Sequence, residues 1–151
     1  MGTGLFGSKN LALLALQGRG RIRKMKKELI ICIFIIVLII VTNIITQKYT
    51  TECVKIMNEK LDVLKEASLK EDVGKIQEKI SEVENNWNEL QEKLAFYIEH
   101  DELEKVETQI YAMKGFYEID KYDEIVPELD KCIFILEHIQ DKTKINVKNV
   151  F

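Results

Sequence analysis

The sequence predicts an all-α protein: an N-terminal transmembrane helix followed by an extracytoplasmic four-helix bundle built from two αα-hairpins. Three observations lead there. Residues 29–41 are thirteen apolar residues without a break, and after Thr42 and Asn43 the run resumes at Ile44 and Ile45. From Thr50 onward the apolar residues recur at three- and four-residue spacing, with no alternating strand pattern and a single proline, Pro127. Charge splits across the apolar run. Residues 1–28 carry seven Lys/Arg against one acid, net +6, and residues 50–151 carry 14 Lys against 24 Asp/Glu, net −10. The chain therefore divides into a basic cytoplasmic tail (1–28), a membrane span (29–46) and an outer helical domain (50–151).

At ~1.5 Å per residue, residues 29–45 make a helix of roughly 25 Å, against a hydrocarbon core of about 30 Å. Thr46 and the stem of Lys48 extend the run into the headgroups. Two other readings compete. A signal-peptide core would leave a secreted helical domain after cleavage, but Thr42-Asn43-Ile44-Ile45-Thr46-Gln47 offers no small-residue cleavage site. A buried core helix would not carry so strongly basic a flank. Arg19, Arg21, Arg23, Lys24, Lys26 and Lys27 precede the run, opposed only by Glu28. The positive-inside rule then sets the N-terminus in the cytoplasm and residues 47–151 outside. Asn43, near the far interface, reads as an interfacial polar residue, with an interhelical hydrogen bond between subunits as the sharper alternative.

The tail before the span is Gly-rich, then Leu/Ala-rich, then basic. Met1-Gly2 invites a myristoylation reading, but Phe6 stands where Ser or Thr is wanted. Met25-Lys26-Lys27 followed by the apolar run is already a complete anchor. Residues 1–24 are thus expected to be an artefactual, disordered extension. The acidic outer domain argues against nucleic acid and anionic lipid as electrostatic partners.

Val54, Met57, Leu61 and Leu64 predict a first outer helix over about 50–69, continuous with the span because nothing in 46–53 stops a helix. Residues 70–74 read as a short polar turn. Val73, Ile76, Ile80, Val83, Trp87, Leu90, Leu94 and Tyr97 form the longest seam, a surface for packing against other helices. This helix is expected to end near His100, whose place in a last turn would suit the helix dipole, with Asp101 capping the next helix. Leu103, Val106, Ile110, Met113 and Tyr117 mark a third helix. Tyr122, Ile125, Leu129, Cys132, Leu136 and Ile139 mark a fourth, in which Pro127 is tolerable near the start. Residues 145–151 are expected as a packed, extended end.

The seams repeat. A shift of 49 residues carries Val54, Met57, Leu61 and Leu64 onto Leu103, Val106, Ile110 and Met113. The same shift carries Val73, Ile76, Ile80, Val83, Trp87 and Leu90 onto Tyr122, Ile125, Leu129, Cys132, Leu136 and Ile139. Two hairpins of this kind bury their faces best against each other, as a four-helix bundle or a tetratricopeptide-like pair.

Little in the chain points to catalysis. There is no Gly-rich phosphate loop and no nucleophile motif. The two histidines, His100 and His138, each neighbour an acid, but the repeat sets them roughly 16 Å apart along the helix axes, so they do not converge on a metal. The three cysteines give no metal-ligand spacing. Cys132 falls on a seam as a small core residue, and a Cys53–Cys132 disulfide is the alternative. No catalytic residue, metal ligand or cofactor is expected, and the protein is not expected to be an enzyme. The residues singled out are core or interface ones: Trp87, Leu90, Leu94, Leu136, His100 and Glu102.

The Lys26-Lys27 start, the single span, Trp87 in mid-helix, the run His100-Asp101-Glu102-Leu103-Glu104 and the closing Asn149-Val150-Phe151 resemble an uncharacterised family. Its members are small single-span proteins of clostridia and other spore-forming Gram-positive bacteria, catalogued as a domain of unknown function. The resemblance covers about residues 25–151. Glu104 stands where the family pattern has Asp, and residues 1–24 have no counterpart. The resemblance implies a plasma-membrane location and a membrane-protein partner, and supplies no activity. Three function classes follow: a binding or scaffold module that docks another membrane or envelope protein, a sensor-like ligand-binding bundle, and, last, an enzyme.

Overall fold

The computed structural model describes the backbone of residues 5–148 and the side chains of residues 25–144. Four helices follow in order: α1 (Leu5–Leu69), α2 (Val73–Leu94), α3 (His100–Glu118) and α4 (Ile125–Lys148). There is no strand among the described residues. The chain divides into two compact units, Met1–Thr42 and Asn43–Phe151.

The first unit is helical in backbone from Leu5, so the extension expected to be disordered enters α1; the side chains of residues 1–24 lie outside the described ones. Residues 25–42 are exposed throughout. Among the described residues one helix is long and apolar enough to cross a membrane, with a mean hydropathy of 3.2 over its best window and none of that window buried. The helix continues through Thr42, whose hydroxyl donates to the Leu38 carbonyl at 2.9 Å.

The second unit gathers residues 43–69 of α1 with α2, α3 and α4 around one core. Polar links tie each helix to its neighbours. Lys60 meets Glu82 between α1 and α2, Lys114 meets Glu84 between α2 and α3, Lys142 meets Glu102 between α3 and α4, and Gln140 donates to Thr51 between α4 and α1. In each pair of helices the numbering runs in opposite directions, so neighbouring helices are antiparallel.

The 49-residue repeat is visible in burial. Val54, Met57, Leu61 and Leu64 are buried, and so are Leu103, Val106, Ile110 and Met113. Ile76, Ile80, Val83, Trp87 and Leu90 are buried with Ile125, Leu129, Cys132, Leu136 and Ile139. The Val73–Tyr122 pair departs from this, with Val73 exposed and Tyr122 half-buried. The repeat also reaches the backbone of the turns. Glu71 (φ 51) and Asp120 (φ 58), 49 apart, are both left-handed. Around them Asp72 N–H reaches the Ala67 carbonyl and Glu71 N–H the Ser68 carbonyl. Lys121 N–H reaches Phe116 and Asp120 N–H reaches Tyr117 in the same pattern. Each turn is a Schellman stop, which satisfies the last carbonyls of its helix. Asp72 then caps α2, accepting from Lys75 N–H at 3.3 Å.

Several boundaries differ from the sequence reading. α2 ends at Leu94, leaving Tyr97 in the connecting turn. His100 therefore opens α3 instead of closing α2, the unfavourable end for a cation, and faces Glu104 one turn on at 3.1 Å. Glu99 occupies the cap position without a side-chain cap bond, and Asp101 lies in the first turn. α4 starts at Ile125, which places Pro127 in the first turn, where its missing N–H costs nothing. The expected extended end is helical to Lys148, with Asn149, Val150 and Phe151 outside the described residues. Cys53 and Cys132 are buried and free.

Candidate functional site

Trp87, Leu94 and Leu136 are each 1% exposed and Leu90 is 8%, all within the shared core. The Trp87 indole N–H meets no hydrogen-bond partner. A buried indole usually finds one. The group is therefore a packing element whose polar atom costs stability. His100 is exposed and stands apart from this cluster.

Glu102 is the buried carboxylate of the domain, at 5% exposure. Lys142 donates to it at 2.7 Å and Lys105 at 3.2 Å. The Lys142 hydrogen bond, helped by Lys105 and opposed by desolvation, holds the Glu102 carboxyl below its ordinary range. Glu99, Asp101 and Glu102 bring three carboxylates within 4.8 Å of one another. Lys142 also meets Glu99 at 3.6 Å, and Lys105 meets Asp101 at 3.6 Å. The cluster is thus an ion-pair network at the head of α3, with its acids already engaged by ammonium groups. The repeat carries Glu102 and Lys142 onto Cys53 and Lys93. There the thiol takes the place of the carboxylate; burial raises the Cys53 thiol, while Lys93 pulls the other way.

Beside Glu102, the residues Tyr97, Ile98, Ile139 and Thr143 enclose a cavity of about 90 Å³. Above it, the Tyr97 hydroxyl and the Thr50 hydroxyl lie 3.0 Å apart, and Thr50 also donates to the Thr46 carbonyl. Tyr49 is pushed up to about 12, chiefly by burial and by its hydrogen bond with Cys53.

The other candidate surface is a shallow groove of about 410 Å³ between α3 and α4, lined by Gln109, Asp130, Lys131, Phe134 and Ile135. Phe134 is 69% exposed. The repeat explains why this face is unusual. Ile133, Phe134 and Ile135 on α4 correspond to Glu84, Asn85 and Asn86 on α2. Gln109 and Lys131 correspond to Lys60 and Glu82, which form an ion pair across α1 and α2. In one half Lys60 and Glu82 pair beside Asn85; in the other Gln109 and Lys131 hold those two places and Phe134 stands where Asn85 does. Seam spacing alone does not find Phe134, because the seam names inward residues; comparing the outward residues of the two halves does.

The family model described as "Domain of unknown function (DUF4363)" matches residues 44–150. No curated protein matches the chain, and no solved structure matches it.

Proposed function

The chain belongs to the DUF4363 family of domains of unknown function, and from that footing we propose a membrane-anchored binding or scaffold module that docks another membrane or envelope protein. Residues 29–46 hold it in the plasma membrane, the basic N-terminus faces the cytoplasm, and two αα-hairpins form the outer domain. α1 runs without a break from the apolar run to Leu69, so a signal cleavage after the run would cut within a helix that the outer domain needs for its core. That favours the uncleaved anchor.

The observation that carries the docking reading is Phe134 and its neighbours. Ile133 and Ile135 pack against the core, but the fold does not require an aromatic at the exposed position between them, since the equivalent α2 residue is Asn85. An aromatic held 69% exposed beside an open groove is the kind of anchor that partner surfaces use. The sensor reading is weaker. Ligand pockets run to roughly 300–1,000 Å³ and bury most of their ligand, whereas the cavity beside Glu102 holds about 90 Å³ and the larger groove at Phe134 is shallow and open.

The test places a photo-crosslinking side chain at position 134 of the full-length chain in native membranes, with position 85 as the equivalent control. A discrete membrane or envelope protein captured from 134 alone, and lost from co-purification with Phe134→Asn, is the expected outcome. Equal capture from 134 and 85, or co-purification indifferent to Phe134→Asn, would count against the reading.

A further inference from the structure

The three turns between helices differ in character. Those after α1 and α3 are charged: Lys70, Glu71 and Asp72 in one, Asp120, Lys121, Asp123 and Glu124 in the other. The turn after α2 runs Ala95-Phe96-Tyr97-Ile98-Glu99, four uncharged residues and a single acid in a strongly acidic domain. Phe96 is 89% exposed, the most exposed of the large apolar side chains among the described residues. Nothing in the fold asks for this exposure, because Leu94 and Ile98 already cover the core at that point.

The hydrogen bond between Tyr97 and Thr50 sets this turn beside Thr50, near the height where the apolar run ends. Thr50 lies five residues past Ile45, ~7.5 Å along the helix. The headgroup layer on each side of the hydrocarbon core is about 5–8 Å deep. Tyr49, Phe96 and Tyr97 therefore share one level, that of the outer lipid headgroups, where the amphipathic rings of the two tyrosines are favoured and Phe96 adds a wholly apolar one. The charged turns lie at the opposite end, where Tyr122 feels the charge of Glu71.

We propose that the turn centred on Phe96 is a membrane-contact site, seated in the outer headgroup layer of the bilayer that residues 29–46 cross. The inference rests on the anchoring reading of those residues. The occupant is lipid because Ala95, Phe96, Tyr97 and Ile98 carry no charge, Glu99 beside them is paired with Lys142, and the turn sits at the exit of the chain's own span. The contact is apolar and aromatic, so it is insensitive to lipid charge and to salt. It gives the outer domain a second point of attachment besides the span.

Full-length protein in phosphatidylcholine vesicles tests this through three added tryptophans: Phe96→Trp, Leu38→Trp in the span, and Ile119→Trp in the turn between α3 and α4. Trp87, buried in the core, supplies a constant background. Lipids brominated close to the headgroup should quench the added emission of Phe96→Trp, lipids brominated near the chain end should quench it less, and Ile119→Trp should be quenched by neither. Leu38→Trp should be quenched by lipids brominated along the chain. If Leu38→Trp is quenched while Phe96→Trp behaves like Ile119→Trp, the contact is overturned and the anchor stands. If Leu38→Trp is also unquenched, the anchoring reading fails and the contact falls with it. A Phe96→Trp emission that is blue-shifted only as protein density rises, without bromide quenching, assigns the turn to a second copy of the chain and overturns the lipid site.

Discussion

Trp87 is the most informative residue to remove. It is 1% exposed at the middle of α2, with Val83 and Leu90 buried on the same face. Truncating a buried Trp to Ala costs about 3–5 kcal/mol, in a domain whose total stability is ~5–15 kcal/mol. At roughly 4–8 °C per kcal/mol for a domain of this size, Trp87→Ala should lower the melting temperature by at least ~12 °C. Trp87→Phe separates packing from polarity. It keeps most of the apolar contact and removes an indole N–H that has no partner and carries a desolvation cost of about 1–3 kcal/mol. Its penalty should therefore fall well below that of Trp87→Ala. The assay is thermal and urea unfolding of the full-length chain in mild detergent, followed by circular dichroism. In the native protein the Trp emission should be blue-shifted and poorly quenched by iodide. An unchanged melting temperature for Trp87→Ala would refute the packing argument. A Trp87→Phe penalty equal to that of Trp87→Ala would show that the N–H makes a bond after all.

Three further outcomes follow from the same contacts. Because the folded Glu102 carboxyl is held below its unfolded value of about 4.3, its contribution is fully present above that pH and lost as pH falls through the depressed folded value. Glu102→Gln should thus destabilise at neutral pH, and the gap to wild type in urea midpoints should close in acid; a gap that widens in acid would contradict the ion pair. Glu71→Gly and Asp120→Gly relieve left-handed residues in the two Schellman turns, and each should add about 0.5–1 kcal/mol, read as a raised urea midpoint. Cys53 and Cys132 are both buried with raised thiols, Cys132 pushed up to about 12 by desolvation, so in the folded domain neither should react with a polar maleimide at neutral pH, whereas both should react in urea.

The helices and their inward residues were legible because burial in this domain follows one rule, three- and four-residue apolar spacing, applied twice at an interval of 49. Turn chemistry was less legible. A Schellman stop usually shows itself by glycine, and here the left-handed positions hold Glu71 and Asp120, so the sequence signalled only polar turns. The end of α2 was misplaced because Tyr97 keeps the seam spacing after the helix has stopped; its ring is held by the Thr50 hydroxyl and not by the helical lattice. His100 was misassigned for the same reason. The Glu102–Lys142 pair was half legible: Glu102 belongs to the run around His100, but Lys142 lies 40 residues on and has no periodic mark. The outward residues Phe96 and Phe134 carry the two surface proposals, and Phe134 emerges only when one half of the repeat is set against the other.

The most direct test is which side of the membrane the helical domain occupies. Ile119 is 58% exposed in the turn between α3 and α4, so Ile119→Cys offers an accessible thiol while Cys53 and Cys132 stay buried. Intact protoplasts expressing the full-length variant are treated with a membrane-impermeant maleimide, and the membranes are then washed in alkaline carbonate. Labelling of Ile119→Cys without lysis, on protein that stays in the carbonate-washed membrane, is the predicted result. Labelling only after lysis, or release of the labelled chain by carbonate, would contradict an anchored domain on the outer face.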